Sequence, residues 1–436
     1  MSLRGLFVLF AIALPLAVPL AALAGENGKA RLFPYDYTID DLPNGLRLVT
    51  VPTDFPDIVS LYIVVQTGSR NEVEPGKSGY AHLFEHLMFR GSENFTPAQR
   101  DSLLTRAGAA SNAYTTDDRT VYHLSFAKED FEKIVALEAD AFLRLRYDAA
   151  AYKTETLAVL GEYNKNSANP ISKLFETLRK TAFERHTYSH TTMGFIADIE
   201  DMPNQYEYSL QFYDRYYRPE YTTILVVGDV ARERALAAVT KEFGSWKRGD
   251  WAPKIPEEPP QGGAREASVA WPSPTLPYVA VGFRAPAYSD TEKDKVALDL
   301  LGQVAFGENS EIYRKLVITE QRVDIFGVSF PDRLDPQLFT VIARVKDPKD
   351  VAAVRGEILA AVEGAKLQAG LASQLLDQLA ARLELVLGRP GDSDQADVSH
   401  LGIAGHQLVL AVEQRLGAPP VAGVAAPALV LLGLGV

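Results

Sequence analysis

The chain has 436 residues, of which 47% are hydrophobic, 23% charged and 10% aromatic. That length exceeds one compact core and implies two or three domains, while the ordinary composition excludes disordered and fibrous classes. A formal net charge of −12 argues against a nucleic-acid surface, which needs a basic stripe to displace phosphate counterions. With no cysteine, disulfides, thiol nucleophiles, iron–sulfur clusters and cysteine-ligated zinc are excluded. Any metal site must draw on His, Asp and Glu.

The first 24 residues read as a secretory leader. Arg4 precedes an apolar run from Leu6 to Leu20, and Ala22-Leu23-Ala24 offers small residues before a cleavage point. Pro15 and Pro19 interrupt the run and weaken the alternative, an uncleaved membrane anchor. The reading is an exported protein, periplasmic if its source is a Gram-negative bacterium, with no membrane anchor left by the leader after cleavage.

Along residues 25–246 the pattern predicts an α+β unit. A turn at Leu42-Pro43-Asn44-Gly45 feeds a strand to 52, and 58–66 is a second strand rich in Val, Ile and Tyr. Residues 78–90 read as a helix with Ser78 as N-cap, followed by a helix over 97–106. A hairpin over 111–116 and 120–126 turns at Asp117-Asp118. Amphipathic spacing gives helices over 128–146 and 149–166, and 222–227 is a closing strand. Seven prolines and Gly262-Gly263 mark 247–277 as an inter-domain linker. Strands at 278–284, 325–330 and 338–345, with helices near 291–305, 309–318 and 347–367, place a second α+β unit over 278–436. The similar order of elements implies two duplicated domains, each a mainly antiparallel sheet with helices packed on it, enclosing a cleft.

The chemistry concentrates in His82-Leu83-Phe84-Glu85-His86. Residues i and i+4 of a helix share a face, so His82 and His86 can reach one ion, and Glu85 at i+3 can touch a water beside it. Such a set suits zinc, with a carboxylate as general base; the alternative is a solvated surface helix. A third ligand is needed. Glu155 and Glu162 lie seven residues apart, on one face of the predicted 149–166 helix and among apolar neighbours, although both could also be solvated acids.

His82-x-x-Glu85-His86, with Glu162 falling 76 positions beyond His86, resembles the pitrilysin/insulinase family of zinc metallopeptidases, in its small bacterial and mitochondrial-processing-peptidase-like branch. Asn44-Gly45-Leu46, Gly79-Tyr80-Ala81, Asn112-Ala113-Tyr114-Thr115, Thr120-Val121-Tyr122, and Tyr217-Arg218-Pro219 through Gly228-Asp229 carry the same resemblance. It implies that His82, His86 and Glu162 hold Zn2+, that Glu85 is the general base and that Glu155 orients a ligand. It further implies that Asn112, Ala113, Tyr114 and Thr115 form a sheet edge on which a peptide substrate adds a strand. The expected activity is zinc-dependent endopeptidase action on short or unfolded peptides. His123, His186 and His190 read as packed or loop histidines, as do His400 and His406 within a weakly patterned segment.

Two departures stand out. Family members grip substrate with an Arg and a Tyr near a Glu-Gln pair; aligned on Glu320-Gln321, those positions hold Val317 and Asp324. The chain is therefore expected to be the zinc-bearing subunit of a heterodimer whose homologous partner carries the Arg and Tyr. The alternative is a non-catalytic scaffold of the same fold. Residues 416–436 carry no charge where the family shows amphipathic helices and a strand, which leaves that end either membrane-associated or altered.

Overall fold

A computed structural model describes residues 35–365 and the backbone of 430–435. The predicted leader, the end of the helix predicted over 347–367, His400, His406 and residues 416–429 lie outside these. The first half runs β1 (Thr38–Asp41), β2 (Arg47–Pro52), β3 (Ile58–Val65), α1 (Tyr80–Leu87), α2 (Pro97–Arg106), β4 (Ala110–Thr115) and β5 (Thr120–Ala127). It continues through α3 (Phe131–Leu143), α4 (Ala149–Ser167), α5 (Pro170–Ala182), α6 (Ile196–Asp201), α7 (Tyr206–Tyr216), β6 (Thr222–Gly228) and α8 (Arg232–Phe243). The second half holds β7 (Arg265–Ala270), β8 (Tyr278–Ala285), α9 (Asp294–Phe306) and α10 (Glu311–Tyr313), the last running into a π-helix over Arg314–Thr319. β9 (Val323–Ser329), β10 (Gln337–Val345), α11 over 351–365 and β11 (Val430–Gly435) follow.

Local chemistry sets several of these boundaries. Thr96 and Gln99 form a reciprocal capping box ahead of Pro97, and Asp148 accepts the Ala151 amide at the start of α4. Asn169 caps α5 in front of Pro170. The helix expected over 128–146 is shorter, because Lys128–Asp130 forms a 3-10 turn and α3 starts at Phe131.

Apart from the extra edge strand β1 of the first, the two sheets share one topology among the described residues. The first has the order β1-β2-β6-β3-β5-β4 and the second β7-β11-β8-β10-β9. In each, a parallel pair (β2 with β6, β7 with β11) joins an antiparallel meander (β3-β5-β4, β8-β10-β9). Two helices separate the first and last strand of each meander in sequence, so the duplicated-domain reading holds at the level of strand order. β7 falls inside the proline-rich 247–277 stretch, in a proline-free run at a sheet edge where flanking prolines are tolerated. β11, at 430–435, lies between β7 and β8.

The sheets differ in what covers them. β3 alternates, with Val59, Leu61, Ile63 and Val65 buried and the intervening residues more exposed, as expected of a sheet with one packed face. β8 buries both faces. Val279 and Val281 pack with Phe306, Val354 and Ile358 of the second half. Tyr278 and Ala280 pack with Leu174, Leu178 and Ala182 of α5, a helix of the first half. A cavity of about 260 Å³ opens beside this seam, lined from both halves by Phe175, Arg179, Tyr188, Arg333 and Leu338.

The equivalent hairpin turns of the two halves also meet. Arg333 of the β9–β10 turn pairs with Asp117 of the β4–β5 turn, and the Leu334 amide donates to Asp118 at 3.0 Å. Beside them Asp335 pairs with Arg70 and lies 2.9 Å from His186 Nε2. Burial would raise the Asp335 carboxyl, but His186 and Arg70 more than offset it and hold it down at about 2. A carboxyl depressed on folding adds stability above its unfolded value of about 3.9 and loses it as pH falls toward the folded value. Stability should therefore fall between about pH 4 and pH 2, and Asp335→Asn should flatten that limb in urea unfolding curves taken at stepped pH.

Candidate metal centre

α1 divides its surface by helical arithmetic. Leu83, Phe84 and Leu87 are fully buried in the first-half core, where Phe84 stacks on Phe212 at 5.1 Å between ring centroids. His82, Glu85 and His86 occupy the remaining face. The N-terminus of α1 is not capped by Ser78. The Ser78 hydroxyl donates to Asp198 at 2.5 Å and accepts the Phe195 amide. The capping acceptor is Glu72, whose two carboxylate oxygens take the Gly79 and Ala81 amides at 2.7 Å each. Gly79 has φ +90, a left-handed turn that needs glycine before the helix begins.

α4 brings the acids. Glu162 Oε2 lies 3.5 Å from His82 Nε2 and 3.6 Å from His86 Nε2. One ligand atom from each of the three side chains falls within 4.8 Å of the others, the one such group of His, Asp and Glu among the described residues. Two turns earlier, the buried Glu155 lies 3.5 Å from His86 Nδ1 and 2.5 Å from Arg90. His86 is thus addressed on both ring nitrogens, one by each carboxylate.

The electrostatics fit a cation. Burial, with His86 nearby, lowers His82 to about 4, so its ring is neutral near pH 7 and carries a free lone pair. Glu155 raises His86 above the ordinary imidazole value. Burial raises Glu85, with the Thr115 hydroxyl pulling the other way as it donates to Oε2 at 2.6 Å. Two imidazoles and a carboxylate facing one point, with a second carboxylate behind one imidazole, form a donor set that suits zinc. The structure thus brings His82, His86, Glu162, Glu85 and Glu155 together.

The expected substrate edge is β4, the terminal strand of its sheet. Asn112 and Tyr114 point outward, whereas Ala113 is buried and faces the core. Thr115 is engaged with Glu85, a contact that no sequence period marks. Arg90 and Glu72 carry no sequence signal for the same reason, since each acts across a fold contact. His123 stacks on Tyr62 at 5.3 Å, His186 pairs with Asp335, and buried His190 contacts the Thr191 carbonyl at 3.0 Å. None of these three joins the cluster. Val317 packs against the second core, and Asp324 is tied to Arg344 at 2.8 Å.

Comparison with known proteins gives the family. Residues 47–195 match the profile described as insulinase (peptidase family M16), and residues 205–383 match the peptidase M16 inactive domain. The second match begins ahead of β6, so its boundary crosses the first sheet. The chain is 32% identical over 346 residues to the zinc protease PqqE of Helicobacter pylori, covering 78% of this chain and 76% of that one. It is 29% identical over 203 residues to a probable mitochondrial-processing peptidase subunit beta of Schizosaccharomyces pombe, covering 47% and 44%. Among solved structures, a protease from Helicobacter pylori aligns with a TM-score of 0.75 at 27% identity, over 92% of this chain and all of that one. An M16-like peptidase from Alicyclobacillus acidocaldarius aligns at 0.71 and 16% identity over 92% and 99%, a likeness of fold alone. The chain belongs to the insulinase family, peptidase family M16.

Arg90 is the full positive charge beside Glu155, which is itself 2% exposed. Arg90→Ala should destabilise the metal-free protein by about 1–3 kcal/mol, the range for a buried acceptor that loses one of its partners, since His86 remains beside Glu155. Urea unfolding of the metal-free variant checks this.

Proposed function

We propose that this protein is a zinc-dependent endopeptidase for short or unfolded peptides. His82, His86 and Glu162 hold the metal, Glu85 is the general base and Glu155 orients His86. The observation that supports this reading most directly is the convergence of the three ligand-type side chains on one point, with Glu85 fixed beside them by Thr115. Zinc held there supplies Lewis-acid polarisation of a carbonyl and lowers the pKa of water.

The chain's own groups account for the remaining steps. Thr115 occupies Glu85 Oε2 and so leaves the other carboxylate oxygen to accept a proton from the attacking water. The raised affinity of Glu85 for a proton lets it hold that proton and then deliver it to the departing amine nitrogen. Among the described residues β4 pairs on one side only, so an extended peptide can add as a further strand with its alternate side chains beside Asn112 and Tyr114.

We also propose that the protein is exported and works as the zinc-bearing member of a heterodimer. Val317 is packed and Asp324 is paired, so neither is free to hold substrate. A homologous partner carrying the Arg and Tyr would complete the chamber. Among the described residues no helix is long and apolar enough to cross a membrane.

Glu85→Gln should retain zinc by elemental analysis yet lower peptide hydrolysis by about 10²–10⁴-fold. His82→Ala should lose the zinc itself. A Glu85→Gln protein that arrives metal-free would reverse these assignments. Full peptidase activity of the purified chain on its own would remove the need for a partner, and a metal-loaded chain inert with every homologous partner would favour the scaffold reading.

A further inference from the structure

The second half contributes none of the three metal-binding candidates, yet one of its side chains reaches the buried segment that carries two supports of the site. Asp117 is 1% exposed. Its carboxylate receives the Ser69 hydroxyl at 2.9 Å, Arg179 at 2.7 Å and Arg333 on its other oxygen. Its backbone carbonyl accepts the Arg70 amide at 2.7 Å. The β4–β5 turn and the loop over 67–72 are thereby joined main chain to main chain. The approach is close enough that a Cβ at Gly68 would lie 2.4 Å from the carbonyl oxygens of Thr116 and Asp117.

Each joined segment ends on the site. Two residues before Asp117, Thr115 orients Glu85. At the end of the loop, Glu72 accepts the two amides that begin the helix carrying His82 and His86. Asp117 therefore stands where the base and the ligand helix share a foundation. A buried carboxylate in that place is costly unless compensated. Arg179 supplies one cation from the first half and Arg333 supplies the other from the second. Between them they outweigh burial and hold Asp117 below the ordinary carboxylate range.

We infer that Arg333 is a positioning residue of the metal centre, acting through Asp117 on both the Thr115–Glu85 pair and the Glu72-capped start of α1. The inference rests on the peptidase reading for its catalytic consequence but not for its structural one. The second half is then a working part of the site, because docking its β9–β10 turn completes the charge balance beneath the first-half turn.

The test is amide hydrogen exchange on the metal-free full chain, read at Gly79 and Ala81 and, as an internal reference, at the central strand β3. Arg333→Gln should speed exchange at Gly79 and Ala81 about tenfold while leaving β3 unchanged, as local rather than global opening requires. Arg333→Lys, which keeps the charge, should recover most of the protection. It also replaces Arg333→Gln as the informative variant, with a smaller shift, should the latter fail to fold. Adding Asp117→Asn to Arg333→Gln should change exchange at Gly79 and Ala81 far less than Asp117→Asn does alone, since the two act as one unit. In the metal-loaded chain assayed with its partner, Arg333→Gln should lower kcat more than it alters KM. Exchange at Gly79 and Ala81 equal to wild type, or acceleration of β3 to the same degree, overturns the inference. If exchange responds as expected while the wild-type chain hydrolyses nothing, the peptidase reading fails and the coupling of the two halves stands.

Discussion

Everything at the metal centre depends on one short helix satisfying two opposite demands. α1 has only eight residues. Isolated helices of that length are unstable, so its persistence comes from tertiary contacts. Leu83, Phe84 and Leu87 sink into a core of stacked aromatics, and Glu72 takes up the amides that would otherwise point into a buried space. Only with both ends of that bargain met can the opposite face present two imidazoles and a carboxylate in a fixed spacing. The acids of α4 then meet a surface that is already rigid.

Much of this could be read from the residues. The i, i+3, i+4 pattern of His82, Glu85 and His86 is a statement about a helical face and survives into the fold unchanged. The meander strands were visible because Val and Ile runs alternate or cluster between turn residues. Glu162 and Glu155 were marked as candidates by their shared helical face, and the family resemblance separated their roles. What stayed hidden depends on contacts between segments. Glu72 caps a helix from a loop seven residues ahead, so a rule that inspects only the adjacent residue selects Ser78. Thr115 reads as a strand residue like its neighbours until the fold sets it against Glu85. Prolines on either side hide β7 from a reading of pattern, and the stretch around β11 has no charges to set off an alternation.

The repetition of one topology in both halves has a physical corollary. Corresponding turns of the two halves meet through one ion pair, Arg333 with Asp117, and through the Leu334 amide donating to Asp118. The copies differ in chemistry: α1 carries the ligand-type side chains, whereas α9, in the same topological position, buries Ala297 and Phe306 and holds Lys295 between Asp299 and Asp332. The Arg333–Asp117 pair is directional, whereas the apolar seam along α5 supplies burial.

That seam makes the chain less modular than its linker implies. α5 precedes the proline-rich stretch in sequence, yet its Leu174, Leu178 and Ala182 complete the packing of the second sheet. Severing the polypeptide in the linker would leave one fragment with an orphaned greasy helix and the other with a bare sheet face. The two pieces would be expected to clump or to seek each other, so any ancestral or engineered splitting of this architecture must carry α5 across with the second sheet or replace what it covers.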